Sequence, residues 1–225
     1  MEYYKQNYEK YWSSKESLDN FFTYERNKAL PYFFQTQKTP SLVKILDLGG
    51  GDGCVSEFMR NLGYEVILLD ISKNALLKAK NLRGLDRILL ANVEKLPFKN
   101  ENFDIVFWGD NIEHLLYPKN VLGEINRILK KNGEVVISFP NMAYWRHRLH
   151  YARRGMVPRT EGTINEPWEW EHIRFFNHNV INALLNVCGF KLEKQIGVSQ
   201  RKYEDKLAKK LDLFASILII KAYKK

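Results

Sequence analysis

ILDLGGGDGCVSEF (residues 45–58) is an apolar run that breaks into four glycines and an aspartate and then resumes as a helix. A glycine-rich turn between a strand and a helix lets a ligand approach the backbone closely and meet the amides at the helix start. Several nucleotide-type ligands use such turns. A triphosphate loop needs lysine and a hydroxyl residue at the helix start, and here the helix opens Gly53-Cys54-Val55. The dinucleotide pattern G-x-G-x-x-G, tried from Gly49 through Gly51, puts Cys54 at its third position, and from Gly51 through Gly53 it puts Ser56 there. The Tyr-x-x-x-Lys spacing of a reductase occurs at Tyr11/Lys15 and Tyr24/Lys28, both before the turn.

What is present is D-x-G-x-G-x-G: Asp47, Gly49, Gly51 and Gly53. Asp70 ends the next apolar run, EVILLD, about 20 residues on, where an acid accepts ribose hydroxyls. Ile71 then lies beside the base. Asp70 also reads as a helix N-cap ahead of Lys73, although Ser72 can fill that role. Turn and acid together point to an adenosine-type cofactor.

Outward from the turn, apolar runs at 43–48, 65–70, 87–91, 104–108 and 134–139 alternate with helical patterns at 54–62 and 73–80. A third helical face is formed by Val121, Leu122, Ile125, Ile128 and Leu129, and Gly133 marks its predicted end. This spacing predicts an α/β doubly wound sheet. Chain order then places Gly49–Gly53, Asp70, 92–94, 108–114 and 140–144 on one rim, at the carboxyl ends of the strands. A helix at 179–188 precedes a strand at 190–196, and 214–223 reads as a last strand. The connection RKYEDKLAKK is predicted to be exposed.

The 225 residues suit one domain: an N-terminal helical cap (1–40) and a main body (41–225) carrying a substrate-binding insertion at about 140–178. An apolar share of 45% and a charged share of 27% are ordinary for a globular protein. No run approaches the roughly 18 apolar residues of a membrane span, and the N-terminus has no signal-peptide core. A cytoplasmic protein without membrane insertion is expected. Cys54 and Cys188 form no C-x-x-C pair. The net charge of +9 reads either as a surface for anionic partners or substrates, or as a lysine-rich solvated surface.

VKILDLGGGDG, VILLDIS, ANVEKLPFKNENFDIVFWGDNIEHLLYP and LKKNGEVVISFPN follow in order the motifs of class I S-adenosylmethionine-dependent methyltransferases, which the chain resembles over about 42–140. The resemblance implies a Rossmann-like seven-stranded sheet, mostly parallel, with one antiparallel strand near the edge and helices on both faces. It implies that Asp47, Gly49 and Gly51 hold the methionine part of S-adenosylmethionine, Asp70 the ribose, and Asn92 and Val93 the adenine edge. Many members have an acid in place of Asn92. Within the family, SFPNMAYWRHRLHYARRGMVPRT followed by HIRFFN is similar to MetW-like proteins and to methyltransferases that tailor surface polysaccharides.

Methyl transfer from a sulfonium mainly needs alignment and exclusion of water, and a hydroxyl acceptor also benefits from a base. His114, after the fourth strand, is the candidate base; Asp110 is expected near the sulfonium or the amino acid end of the cofactor. The basic segment 144–159 carries Arg146, Arg148, Arg153, Arg154 and Arg159 with Tyr144, His147 and His150. Arginine forks match phosphate and carboxylate. The segment therefore reads either as a site for an anionic acceptor, such as a phosphorylated or nucleotide-linked sugar, or as a solvated basic helix face. Trp168, Trp170, His172 and Arg174 are placed to close over such an acceptor, and core packing is the other reading of the tryptophans.

His147 and His150 have ligand-like spacing, but no third ligand is evident and no metal is expected. Tyr3, Tyr4, Tyr8, Tyr11 and Trp12 read as a lid over the cofactor, with Arg26 reaching its carboxylate, or as simple packing of a terminal helix. The leading function is O-methylation of a small anionic molecule. The alternatives are a MetW-like, cofactor-binding partner subunit and a nucleic-acid methyltransferase. No RNA-binding module or base-flipping motif supports the last. A homodimer is left open.

Overall fold

The computed structural model describes residues 2–15, 25–34, 39–160 and 172–225; Trp168 and Trp170 lie outside the described residues. Along β1 (Lys44–Leu48) Ile45 packs into one core layer and Leu46 and Leu48 into the other. Both faces are thus covered, as in a parallel strand between helices. The next strands in the chain are β2 (Glu65–Asp70), β3 (Ile88–Leu90), β4 (Phe103–Gly109) and β5 (Leu129–Pro140). After them come β6 (Phe190–Val198) and β7 (Ile217–Lys224). They form one sheet in the order β3-β2-β1-β4-β5-β7-β6. β1 to β5 pair in parallel, and β7 runs antiparallel to both β5 and β6. The expected Rossmann-like sheet is therefore the one that forms.

α1 (Glu2–Ser14) and the short α2 (Pro31–Phe34) precede the sheet. Phe33 and Phe34 of α2 pack with Val55 and Met59 of α3 (Cys54–Asn61) on one face. α4 (Lys73–Arg83) follows β2. The other face is covered by Val121, Leu122 and Ile125 of α5 (Pro118–Ile128) and, beyond α6 (Trp145–Arg154), by Ile181 and Leu185 of α7 (His178–Val187). Strand order reverses between β1 and β4, so the crevice opens at their carboxyl ends. Among the described residues no helix is long and apolar enough to cross a membrane.

Two expectations are corrected. Gly133 does not end α5: the helix stops at Ile128, and Gly133 lies inside β5. Asn132, at φ +59°, and a register shift between Phe103 and Ile105 absorb the extra residues as a bulge. The charged connection 201–210 is not simply exposed either. It folds into α8 (Lys202–Ala208), whose Glu204 is only 3% exposed. Glu204 accepts hydrogen bonds from the Tyr144 hydroxyl (2.5 Å), the Ser199 hydroxyl (3.1 Å) and the Arg146 guanidinium (3.1 Å).

A buried acid with three donors around it is costly to delete, because the donors lose their acceptor. Glu204→Ala is expected to lower unfolding free energy by about 1–3 kcal/mol, read from the denaturant midpoint. Arg146→Ala should cost less, since its guanidinium reaches solvent. Equal effects of the two would contradict this ranking.

Candidate active site

The β1–α3 turn is shaped by backbone conformations that only glycine adopts without strain. Gly49 has φ +70° and Gly51 φ +58°. Space is short as well. A Cβ on Gly49 would lie 2.5 Å from the Asn111 amide nitrogen, and one on Gly51 would lie 2.7 Å from the Trp12 ring. Asn111 donates to the Gly49 carbonyl at 3.1 Å, which ties the turn to the loop after β4.

Three buried carboxylates hold the turn from below. Asp70 accepts from the Gly51 N–H and the Ser72 N–H, each at 2.8 Å. Ser72, not Asp70, caps α4, accepting from the Ala75 N–H at 3.1 Å. Asp47 is fully buried; its Oδ2 accepts from the Ser56 hydroxyl at 2.7 Å. Its Oδ1 accepts no hydrogen bond among the described residues. Asp52 pairs with Arg83 at 2.8 Å, and Arg83 also donates to the Asp52 carbonyl at 2.8 Å. Asp52 stands in the glycine turn, but Arg83 sits at the far end of α4, and no local spacing announces their pairing.

Burial pushes Asp47 up to about 6, against the pull of the Ser56 hydrogen bond and of Arg26. Burial likewise pushes Asp70 up to about 6; the Ser72 and Gly51 amides pull it back, and the charge of Asp47 adds to the rise. Across the crevice, Arg26 pairs with Asp110 at 2.8 Å, and the Ser138 hydroxyl donates to Asp110 at 2.7 Å. Asp110 takes the left-handed conformation at φ +47°, which aspartate tolerates better than most residues. Arg26 thus neutralises Asp110 and also lowers Asp47. At the neighbouring strand tips Ile71 is half-buried, Val93 is buried, and the Asn92 side chain accepts from the Glu94 N–H at 2.9 Å.

α1 roofs this crevice. Trp12 is 4% exposed and packs against Gly51, and its indole N–H is buried with no acceptor among the described residues. Glu9 accepts from the Lys73 N–H (2.6 Å), the Asn74 N–H (3.2 Å) and the Ser72 hydroxyl (2.9 Å), so α1 is clamped to the start of α4.

The predicted acceptor residues separate into two groups. In the first, Tyr144 and Arg146 are turned onto Glu204, and His147 Nδ1 lies 3.1 Å from the Asn141 carbonyl oxygen. Arg148 is exposed on α6 with Arg153 and Arg154. In the second, His114 meets His172, their rings 4.6 Å apart and nearly perpendicular. His172 Nδ1 lies 2.6 Å from the Thr160 hydroxyl, and its Nε2 lies 3.9 Å from Glu113 Oε1. Burial lowers His172 to about 4, with the charge of Asp110 opposing, so its ring is neutral at pH 7. The Glu113 carbonyl accepts from the Ile173 and Arg174 N–H groups at 3.0 Å each, and Arg174 reaches the Leu116 carbonyl at 2.8 Å.

The left-handed glycine turn, the acid at the β2 tip and this strand order define a class I S-adenosylmethionine-dependent methyltransferase domain. Residues 46–137 carry that domain: they match the family model described as a methyltransferase domain. It is 38% identical over 96 residues to malonyl-[acyl-carrier protein] O-methyltransferase of Buchnera aphidicola, a match covering 43% of this chain and 39% of that protein. It is 28% identical over 139 residues to the bifunctional methionine biosynthesis protein MetXA/MetW of Rhodopirellula baltica, covering 57% of this chain and 22% of that one. Among solved structures, an S-adenosylmethionine-dependent methyltransferase from Mesorhizobium loti superposes with a TM-score of 0.66 at 16% identity, over 91% of this chain and 100% of that one. The chain spans about two fifths of the length of the first curated relatives it matches.

The residues present fit the cofactor of this class. The orphaned Asp47 Oδ1 and the roofed Trp12 N–H are an acceptor and a donor with unmet capacity beside glycines that leave no room for a Cβ. The raised acids allow a direct check. Raised carboxylates favour the folded chain fully below about pH 4, and that contribution is lost as pH rises through about 6. A cationic ligand seated against them should therefore expel protons. Binding of S-adenosylmethionine at pH 6 is expected to release protons, seen as binding heats that depend on buffer ionisation enthalpy. Asp47→Asn should shrink that release. Proton uptake on binding would refute it.

Proposed function

We propose that this chain transfers the methyl group of S-adenosylmethionine to an oxygen atom of a small anionic acceptor. The observation that carries the reading is the His114–His172 pair at the end of the loop whose Asn111 holds Gly49. One short segment thus joins the cofactor turn to a pair of imidazoles, the groups most suited to activating a hydroxyl. The cofactor supplies a sulfonium methyl that needs no further activation. Everything else falls to the chain's own residues.

On this reading Asp47 takes the ammonium, directly or through water, and the amides around Gly49 and Gly51 take the carboxylate. Asp70 receives the ribose hydroxyls on the lone pairs its two amide donors leave available. Asn92 meets the adenine edge, and Ile71 and Val93 flank it. Asp110 with Arg26 stands at the methionine end, and residues 1–40 act as a lid whose α1 excludes water. His114 activates the acceptor oxygen beside His172. Arg148, with Arg153 and Arg154 on the exposed face of α6, draws a phosphate or carboxylate toward the site, and His147 and Arg174 border it. Tyr144 and Arg146 frame that helix through Glu204. A phosphorylated or nucleotide-linked sugar has the required chemistry, and the O-methylation named for the Buchnera relative supports an oxygen acceptor.

The test measures S-adenosylhomocysteine binding by calorimetry and methyl transfer to sugar phosphates, sugar nucleotides and their neutral counterparts. His114→Ala should lower kcat by about 10²–10⁴-fold and leave product affinity unchanged. Arg148→Ala should raise KM for charged acceptors only. Full activity in His114→Ala would remove its role. A second reading, a cofactor-binding partner subunit, is favoured by the longer match to the MetXA/MetW protein. It requires product binding and a stable complex without turnover on any acceptor.

A further inference from the structure

Glu113, His114 and His172 each offer one ligand-type atom, and the three atoms lie within 4.8 Å of one another. We propose that these three side chains bind a divalent transition-metal ion, with open positions for water or for the acceptor oxygen.

The distances fit an ion better than a hydrogen bond. His172 Nε2 and Glu113 Oε1 stand 3.9 Å apart, beyond hydrogen-bonding range. Two atoms each about 2.0–2.2 Å from one ion can stand about 3–4 Å apart, so this pair is already at bridging distance. All three atoms lie within 4.8 Å of one another, and His114 is half-buried.

The outer contacts are those that metal ligands need. The Thr160 hydroxyl lies 2.6 Å from His172 Nδ1, so it can hold the proton on that nitrogen and leave Nε2 to face the cluster. The Glu113 backbone carbonyl, bonded to the Ile173 and Arg174 amides, fixes the two chain segments against each other. Glu113 is 2% exposed, so its carboxylate is held within the fold beside the two imidazoles. Two imidazoles and one carboxylate suit zinc, manganese, iron or cobalt rather than magnesium, and three protein ligands leave coordination open.

The use of the ion rests on the reading of an oxygen acceptor; the site itself does not. A hydroxyl bound to the ion would lose its proton to solvent more readily. The resulting oxygen would form the new bond to the methyl carbon while the sulfur–carbon bond breaks and its electron pair stays on sulfur. His114 would then act on the acceptor through the ion.

The experiment titrates Co²⁺ into the full chain, without a histidine tag and stripped by chelator, and follows the visible ligand-field bands. Saturation at one ion per chain and displacement by Zn²⁺ are expected. Glu113→Gln, His114→Ala and His172→Ala should each weaken Co²⁺ binding by at least about 100-fold, with S-adenosylhomocysteine affinity kept. Thr160→Val, which keeps all three ligands, should weaken it by about 10–100-fold. His150→Ala should leave it unchanged. Absence of saturable Co²⁺ uptake by the unaltered chain, or uptake indifferent to all four site variants, overturns the proposal. Methyl transfer measured separately tells that failure from failure of the O-methylation reading.

Discussion

The structure turns on the hydrogen bond from the Gly51 N–H to the Asp70 carboxylate. It joins the glycine turn after β1 to the tip of β2, and the left-handed backbone around Gly51 is held where a ligand can lie against it. Asp47 and Asp52 are buried beneath the same few residues, so three carboxylates share one small volume. Arg83 answers Asp52, and Arg26 is divided between Asp47 and Asp110. Burial raises Asp47 and Asp70, and the charge of Asp47 adds to the rise of Asp70. A ligand carrying an ammonium and a sulfonium suits those buried acids. A dinucleotide, with its negative pyrophosphate, does not.

α1 depends on the same turn. Its Glu9 adds an acceptor for the first amides of α4, which the Ser72 hydroxyl alone satisfies only in part. Its Trp12 needs the missing side chain at Gly51. The N-terminal helix is thus located by a cap and by a glycine, both belonging to the cofactor half of the crevice.

Much of this was legible in the sequence because it is written locally. The glycines, Asp47 and Asp70 sit at spacings that strand and turn geometry dictate, and strands buried on both faces announce themselves as apolar runs. Local patterns were silent where the partner is remote. Nothing near Arg146 distinguishes a guanidinium turned onto a buried Glu204 from one facing an anion, and α8 looked solvated because most of its residues are. The start of β5 was hidden because Lys130, Lys131 and Asn132 read as a helix end, whereas they carry the bulge that lets the strand begin at Leu129. His114 was visible as a rim residue, but the arrival of His172 beside it depends on a long excursion returning to the Glu113 carbonyl.

That return has a consequence for specificity. Residues 46–137, matched by the family model, contain Glu113 and His114 but end before Thr160, His172 and α6. On the proposed reading the acceptor side is completed by chain outside the matched region, so the acceptors of relatives that align only there would constrain this one weakly. Glu113 is where the two parts meet. Its carbonyl anchors the incoming segment while its side chain faces His172, so any shift of that segment changes the imidazole–carboxylate geometry. On the proposed reading, acceptor preference would diverge through the segment that brings in His172 while Glu113 and His114 stay referenced to the tip of β4.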